Sequence, residues 1–118
     1  MLDPVNRTPP LIAVVDDDES VREALPDLLW VMGYESVTFA SAEDFLAANG
    51  VDRARCLILD VGLPGMSGPQ LQQELVLRGH SLPTVFITGR PDLSPSRRCL
   101  LKPFSEQDLR AALEAALA

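Results

Sequence analysis

Five side chains able to do chemistry stand at the ends of short apolar runs in this 118-residue chain. Asp16 and Asp17 follow Leu11-Ile-Ala-Val-Val15, Asp60 follows Cys56-Leu-Ile-Leu59, Thr88 follows Thr84-Val-Phe-Ile87, and Lys102 follows Cys99-Leu-Leu101. Runs of that length, separated by helical patterns, read as buried parallel strands. In such sheets ligands bind beyond the carboxyl ends of the strands. Three carboxylates, one hydroxyl and one ammonium are therefore expected in one crevice. Lys102 is the only lysine, the other nine basic residues being arginine, so a generic solubilising role does not account for its place.

Asp16, Asp17 and Asp60 would repel one another unless a cation joined them. Mg²⁺ suits such a site because it is hard, takes oxygen ligands and is commonly held by one or two carboxylates plus phosphate oxygens. Asp17 and Asp60 are the best ligand candidates, and the backbone carbonyl of Gly62 can add a third oxygen. A carboxylate in that position can attack phosphorus and form an aspartyl phosphate. The phosphoryl oxygens then need neutralising, which Mg²⁺, Lys102 and the Thr88 hydroxyl can supply. Asp60 is the expected nucleophile, because it follows the central strand of five. The plainer role for Thr88 is a hydroxyl satisfying a local backbone group.

The elements that position these groups can be read in order. Met1–Pro10, with three prolines, reads as a flexible lead-in, and residues 11–118 as one domain. The first strand is Leu11–Val15. Asp18 or Ser20 caps a helix with Val21, Leu25, Leu28, Leu29 and Met32 inward, Pro26 inside it and Gly33 ending it. Ser36–Phe39 is a second strand. Ser41 and Asp44 form a capping box for a helix that turns Phe45 and Leu46 inward and stops at Asn49-Gly50. After Cys56–Leu59 comes a Gly- and Pro-rich loop, then a helix with Leu71, Leu75 and Val76 as its stripe and Gly79 as its stop. Thr84–Ile87 is a fourth strand and Cys99–Leu101 a fifth. A last helix opens at a Ser105…Asp108 capping box and carries Leu109, Ala112, Leu113 and Leu117 inward. Alternating strands and helices make a doubly wound α/β sandwich. Only nine residues, Gly89 to Arg97, separate Thr88 from Arg98. A crossover with its own helix needs at least about 10–12 residues, so a loop is expected there, with one helical turn around Ser94–Arg97 and no regular helix.

Composition narrows the function classes. A net charge of −7 disfavours direct nucleic-acid binding. A single histidine and no CxxC leave a zinc site without ligands. Cys56 and Cys99 read as two buried thiols. Met1–Pro10 has no apolar stretch and no basic n-region, so it is not expected to be a signal peptide, and no apolar run approaches membrane-spanning length. A cytoplasmic protein is the expectation.

The combination Val15-Asp16-Asp17-Asp18, Leu59-Asp60 with Leu63-Pro64-Gly65-Met66-Ser67-Gly68, Ile87-Thr88-Gly89 and Lys102-Pro103-Phe104 resembles the response-regulator receiver domain of two-component signalling. It is similar in particular to receivers of nodulation- and nitrogen-fixation-type regulators. The resemblance implies a flavodoxin-like sheet of strand order 2-1-3-4-5. By position, Asp60 would be the phosphoacceptor and Asp16 and Asp17 the acidic pair, with Asp17 the direct Mg²⁺ ligand and Asp16 indirect. Gly62 would offer its carbonyl, and Thr88 and Lys102 would hold the phosphoryl group. The resemblance also implies a cis peptide at Lys102–Pro103. A histidine kinase or histidine phosphotransferase would be the phosphodonor and an unidentified protein the downstream partner. The domain would be a phosphoacceptor rather than an enzyme, signalling by partner binding or as a phosphate sink.

The chain departs from that pattern in two places. The span after Thr88 is too short for the family's fourth helix, and Cys99 stands where an aromatic or histidine switch residue is usual. Both features favour an alternative reading, a phosphorylation-independent pseudo-receiver that works as an interaction module. Intact Asp60, Thr88 and Lys102 favour the phosphoacceptor. A haloacid-dehalogenase-type phosphatase would want Asp-x-Asp spacing on its first strand with a following Thr or Val, which Asp16-Asp-Asp18-Glu-Ser20 does not match well.

Overall fold

A computed structural model of the chain describes residues 9–48, 52–93 and 99–118. Among the described residues, five parallel strands alternate with four helices: β1 (Leu11–Val15), α1 (Glu19–Val31), β2 (Glu35–Phe39), α2 (Ala42–Ala47), β3 (Cys56–Asp60), α3 (Gly68–Leu77), β4 (Thr84–Thr88), β5 (Leu100–Leu101) and α4 (Glu106–Leu117). The strands lie in the order β2-β1-β3-β4-β5. The doubly wound sheet is therefore as expected, and its central strand is β3.

Each strand shows the two faces that an alternating backbone gives. Ile12, Val14, Cys56, Ile58, Val85 and Ile87 pack with Leu25 and Leu29 of α1 and Leu109 and Leu113 of α4. Ala13, Val15, Leu57 and Leu59 pack on the opposite face with Ala42 and Phe45 of α2 and Leu71 and Leu75 of α3. Leu46 joins this second cluster, and Ala112 and Leu117 join the first, all partly buried. Phe39 and Phe45 meet edge to face at 5.4 Å between centroids, a favoured aromatic geometry.

Local chemistry explains the helix boundaries. Asp18 caps α1 by accepting from the Ser20 N–H at 3.0 Å, which decides between the two candidates. Gly33 and Gly79 follow α1 and α3 with φ of 95° and 85°, a region glycine occupies without steric penalty. Pro26 is accommodated within α1. Ser41 and Ser105 accept from the N–H groups of Asp44 and Asp108, but the complete two-way box belongs to Ser67 and Gln70 at α3. Aspartate is one methylene short for the return reach, and glutamine is not.

Several boundaries and burials differ from the sequence reading. β2 begins at Glu35, one residue early, β3 and β4 include Asp60 and Thr88, and β5 begins at Leu100 rather than Cys99. Val76 does not face inward; it is 65% exposed. It follows the buried Leu75 by one residue, and that step turns about a quarter of the way round a helix, off the inward stripe. Cys56 is buried, whereas Cys99 is only half-buried because it precedes the strand. A 3₁₀ turn covers Pro91–Leu93, earlier than the turn expected at Ser94–Arg97. That stretch lies outside the described residues, as do Asn49-Gly50 and residues 1–8. Within the expected lead-in, the Pro10 carbonyl already accepts from the Glu35 N–H at 3.0 Å.

Candidate functional site

The site forms where β1, β3, β4 and β5 end together. Backbone bonds carry the ladder one step past the strands and fix the groups that follow. The Asp16 N–H donates to the Phe39 carbonyl at 3.1 Å, the Val61 N–H to the Ile87 carbonyl at 3.0 Å, and the Lys102 N–H to the Thr88 carbonyl at 2.8 Å. Lys102–Pro103 is cis.

Asp16, Asp17 and Asp60 each offer an oxygen, and these oxygens lie within 4.8 Å of one another. Asp16 is fully buried, Asp60 is buried and Asp17 is exposed. The Asp16 Oδ1 accepts from the Asp18 N–H at 2.9 Å, and the Asp16 carbonyl accepts from Arg22 Nη1 at 2.9 Å. Its Oδ2 lies 2.7 Å from Lys102 Nζ, yet takes no aligned hydrogen bond from a described residue. That contact is ionic rather than directional, and the oxygen keeps unused accepting capacity. Lys102 Nζ is also 3.7 Å from Asp60 Oδ1, so the ammonium leans toward Asp16.

The electrostatics follow from this packing. Burial pushes the Asp60 carboxyl above its ordinary range, and the nearby Asp16 charge pushes it the same way. Lys102 and the Gly62 N–H pull against them without prevailing. For Lys102, burial disfavours the ammonium, but the close contact and charge of Asp16, followed by Asp60 and Asp18, outweigh it and raise the pKa. A cluster of three carboxylates with one ammonium thus carries net negative charge in a partly dehydrated crevice.

Thr88 reaches the same edge and is buried, and its hydroxyl is engaged with the backbone of Arg90. It accepts from the Arg90 N–H at 3.0 Å and donates to the Arg90 carbonyl at 3.3 Å. Arg90 in turn pairs with Asp92 at 2.9 Å on the surface. Gly62 lies two residues past Asp60 on an exposed turn, between the buried Val61 and Leu63.

Sequence reasoning missed three supports. Arg22 braces the Asp16 carbonyl from the first turn of α1. Gly68 leaves no room for a side chain, since a Cβ would come 2.5 Å from the Asp60 carbonyl oxygen. Glu43 accepts from the Met66 N–H at 3.1 Å and ties α2 to the loop after β3. The first and third are side chain-to-backbone bonds with no signature in residue type; the second was visible only as one glycine of a Gly-rich loop.

The response regulator receiver domain model matches residues 12–114. Nodulation protein W of Bradyrhizobium diazoefficiens is 39% identical over 117 residues, covering 92% of this chain and 52% of that protein. The transcriptional regulatory protein TdiR of Thauera aromatica is 40% identical over 115 residues, covering 91% and 51%. The chain spans about half the length of these curated relatives. Among solved structures, the response regulator StyR superposes with a TM-score of 0.83 at 42% identity, covering 92% of this chain and 59% of that one. The chemotaxis protein CheY4 of Vibrio cholerae superposes with a TM-score of 0.80 at 26% identity, covering 92% and 99%. With this fold, this acidic edge and these matches, the chain belongs to the response regulator receiver domain family of two-component systems.

Proposed function

We propose that this receiver is a Mg²⁺-dependent phosphoacceptor that takes a phosphoryl group on Asp60 from a histidine kinase or histidine phosphotransferase. One observation carries the reading: three carboxylates within 4.8 Å of one another, with Lys102 Nζ 2.7 Å from Asp16 and 3.7 Å from Asp60. The donor set fits a hard divalent cation, because it is all oxygen and includes a buried Asp16 Oδ2 with no aligned hydrogen bond. Asp17, Asp60 and the Gly62 carbonyl would hold the ion, with Asp16 acting indirectly. When bound, Mg²⁺ would neutralise charge on the transferring phosphoryl oxygens.

The chain's own residues supply the rest. An Asp60 carboxylate oxygen attacks phosphorus, forming a new P–O bond as the bond to the donor breaks. The leaving group keeps that electron pair and takes a proton from solvent. Lys102 is placed to shift from Asp16 toward the phosphoryl oxygens on Asp60, a move of the order of its present separation from that side chain. The Thr88 hydroxyl has a single proton, now given to the Arg90 carbonyl. Donation to a phosphoryl oxygen would exchange one acceptor for the other. Positioning and electrostatics, rather than turnover chemistry, are the main contribution. The domain is in this sense not an enzyme, and its output is the binding of a further protein, or drainage of phosphate from a relay, in the cytoplasm.

Acetyl phosphate with Mg²⁺ tests this by intact mass. The expected result is one phosphoryl adduct, absent in Asp60→Asn and in chelator. A folded protein that binds Mg²⁺ but takes no adduct would overturn the reading.

A further inference from the structure

The loop from Val61 to Ser67 is more tightly built than its glycines and proline suggest. At its start, Val61 and Leu63 are buried on either side of exposed Gly62. At its end, the Gly68 N–H donates to the Val61 carbonyl at 3.3 Å, and Gly68 packs directly on the Asp60 backbone. Between these anchors the chain crosses Pro64-Gly65-Met66, where the polar tie is the Met66 N–H on Glu43 Oε2 at 3.1 Å. Gly65 suits that bond. Its φ is 71°, and a Cβ there would stand 2.9 Å from the same carboxylate oxygen. Glu43 reaches across from the first turn of α2, 23 residues away in sequence.

We infer that Glu43 is a positioning residue for the site, clamping the loop that carries Gly62 so that its carbonyl is presented to the cation held by Asp17 and Asp60. This rests on the phosphoacceptor reading above and names a residue outside the acidic cluster on which that reading depends. The clamp works through a hydrogen bond to backbone, so an accepting oxygen at position 43 is what matters, not its charge. Without it, the Met66 N–H turns to water and the arm of the loop opposite Gly62 loses its tie. The consequence falls on the affinity for the cation, whereas the Asp60 nucleophile, fixed within β3, is left as it was.

The test compares Glu43→Ala, Glu43→Gln and the unaltered chain. Mg²⁺ affinity is read by calorimetry, the rate of acetyl phosphate labelling as a function of Mg²⁺, and amide exchange at Gly62 and Met66 without metal. Glu43→Ala should weaken Mg²⁺ binding about three- to tenfold, the loss expected for one hydrogen bond. It should also speed exchange at both amides and leave the labelling rate at saturating Mg²⁺ unchanged. Glu43→Gln, which keeps the accepting oxygen, should stay within about twofold of the unaltered chain. Glu43→Ala with unaltered affinity and exchange would overturn the inference. Equal loss in Glu43→Gln would also overturn it, because the charge and not the bond would then be responsible. Absence of Mg²⁺ binding in the unaltered chain would remove the phosphoacceptor reading itself, a different failure from loss of the clamp alone.

Discussion

The two halves of the sheet contribute to one site but are built to different standards. β1 and β3 are buried almost throughout and sandwiched between helices on both faces. The sheet ladder holds the backbones of Asp16 and Asp60, and the Asp18 N–H fixes the Asp16 carboxylate. β5 is two residues long and, among the described residues, pairs with β4 through Ile87↔Leu100 and Thr88↔Leu101, and Leu101 is 47% exposed. Lys102 hangs from that short strand. The acidic groups thus sit on the firm half, and the ammonium that the proposed phosphorylation would draw toward Asp60 sits on the lightly held half. A carboxylate cluster costs energy to hold together and needs a rigid frame; a cation that changes partner needs the opposite.

The largest test of that contrast is a pair of truncations. Ile58→Ala, in fully buried β3, should cost about 2–5 kcal/mol in urea unfolding. Leu101→Ala on β5 should cost no more than about 0.5 kcal/mol. Equal costs would erase the distinction between the halves. Next in size, Lys102→Met strips the ammonium from a fully buried Asp16 carboxylate. Because the lysine is 19% exposed, the loss should be about 2–3 kcal/mol, below that of a fully enclosed pair. Added Mg²⁺ should restore part of it, and thermal unfolding with and without the ion reads both effects.

A smaller effect of opposite sign is expected at Asp60. Its pKa is raised above the ordinary 3.8, by burial first and by Asp16 second. A carboxyl raised on folding favours the native state fully below pH 3.8, and that advantage is lost as pH climbs through the raised value. At neutral pH the ionised group is therefore a net liability. Asp60→Asn should stabilise the metal-free domain by about 1 kcal/mol, a few degrees in Tm. The difference from the unaltered chain should shrink as pH falls toward 3.8. A destabilised Asp60→Asn domain at neutral pH would show that Lys102 outweighs burial.

Much of this was legible in the residues because it rests on local rules. Apolar runs gave the strands to within a residue, and Asp18, Gly33 and Gly79 marked helix ends through capping and positive φ. The convergence of Asp16, Asp17, Asp60 and Lys102 followed from strand ends sharing an edge. What escaped depends on distance or direction rather than type. Val76 is apolar and near the stripe, yet turned off it. Cys99 continues an apolar run that the fifth strand does not use. The Thr88 hydroxyl is at the right edge but bonds to Arg90 two residues on. Glu43 and Arg22 act on backbone groups that no pattern of residue types marks in advance. Asp44 and Asp108 satisfied the letter of a capping box while lacking the reach that Gln70 has.

The central claim is that Asp60, and not its equally acidic neighbours, accepts phosphate. Borohydride reduces an aspartyl phosphate to homoserine with loss of phosphate, so reduction after labelling with acetyl phosphate and Mg²⁺ followed by peptide sequencing in a mass spectrometer identifies the acceptor. Homoserine at position 60 alone is the predicted result. Homoserine at position 16 or 17, or at no aspartate in a chain that binds Mg²⁺, would contradict it.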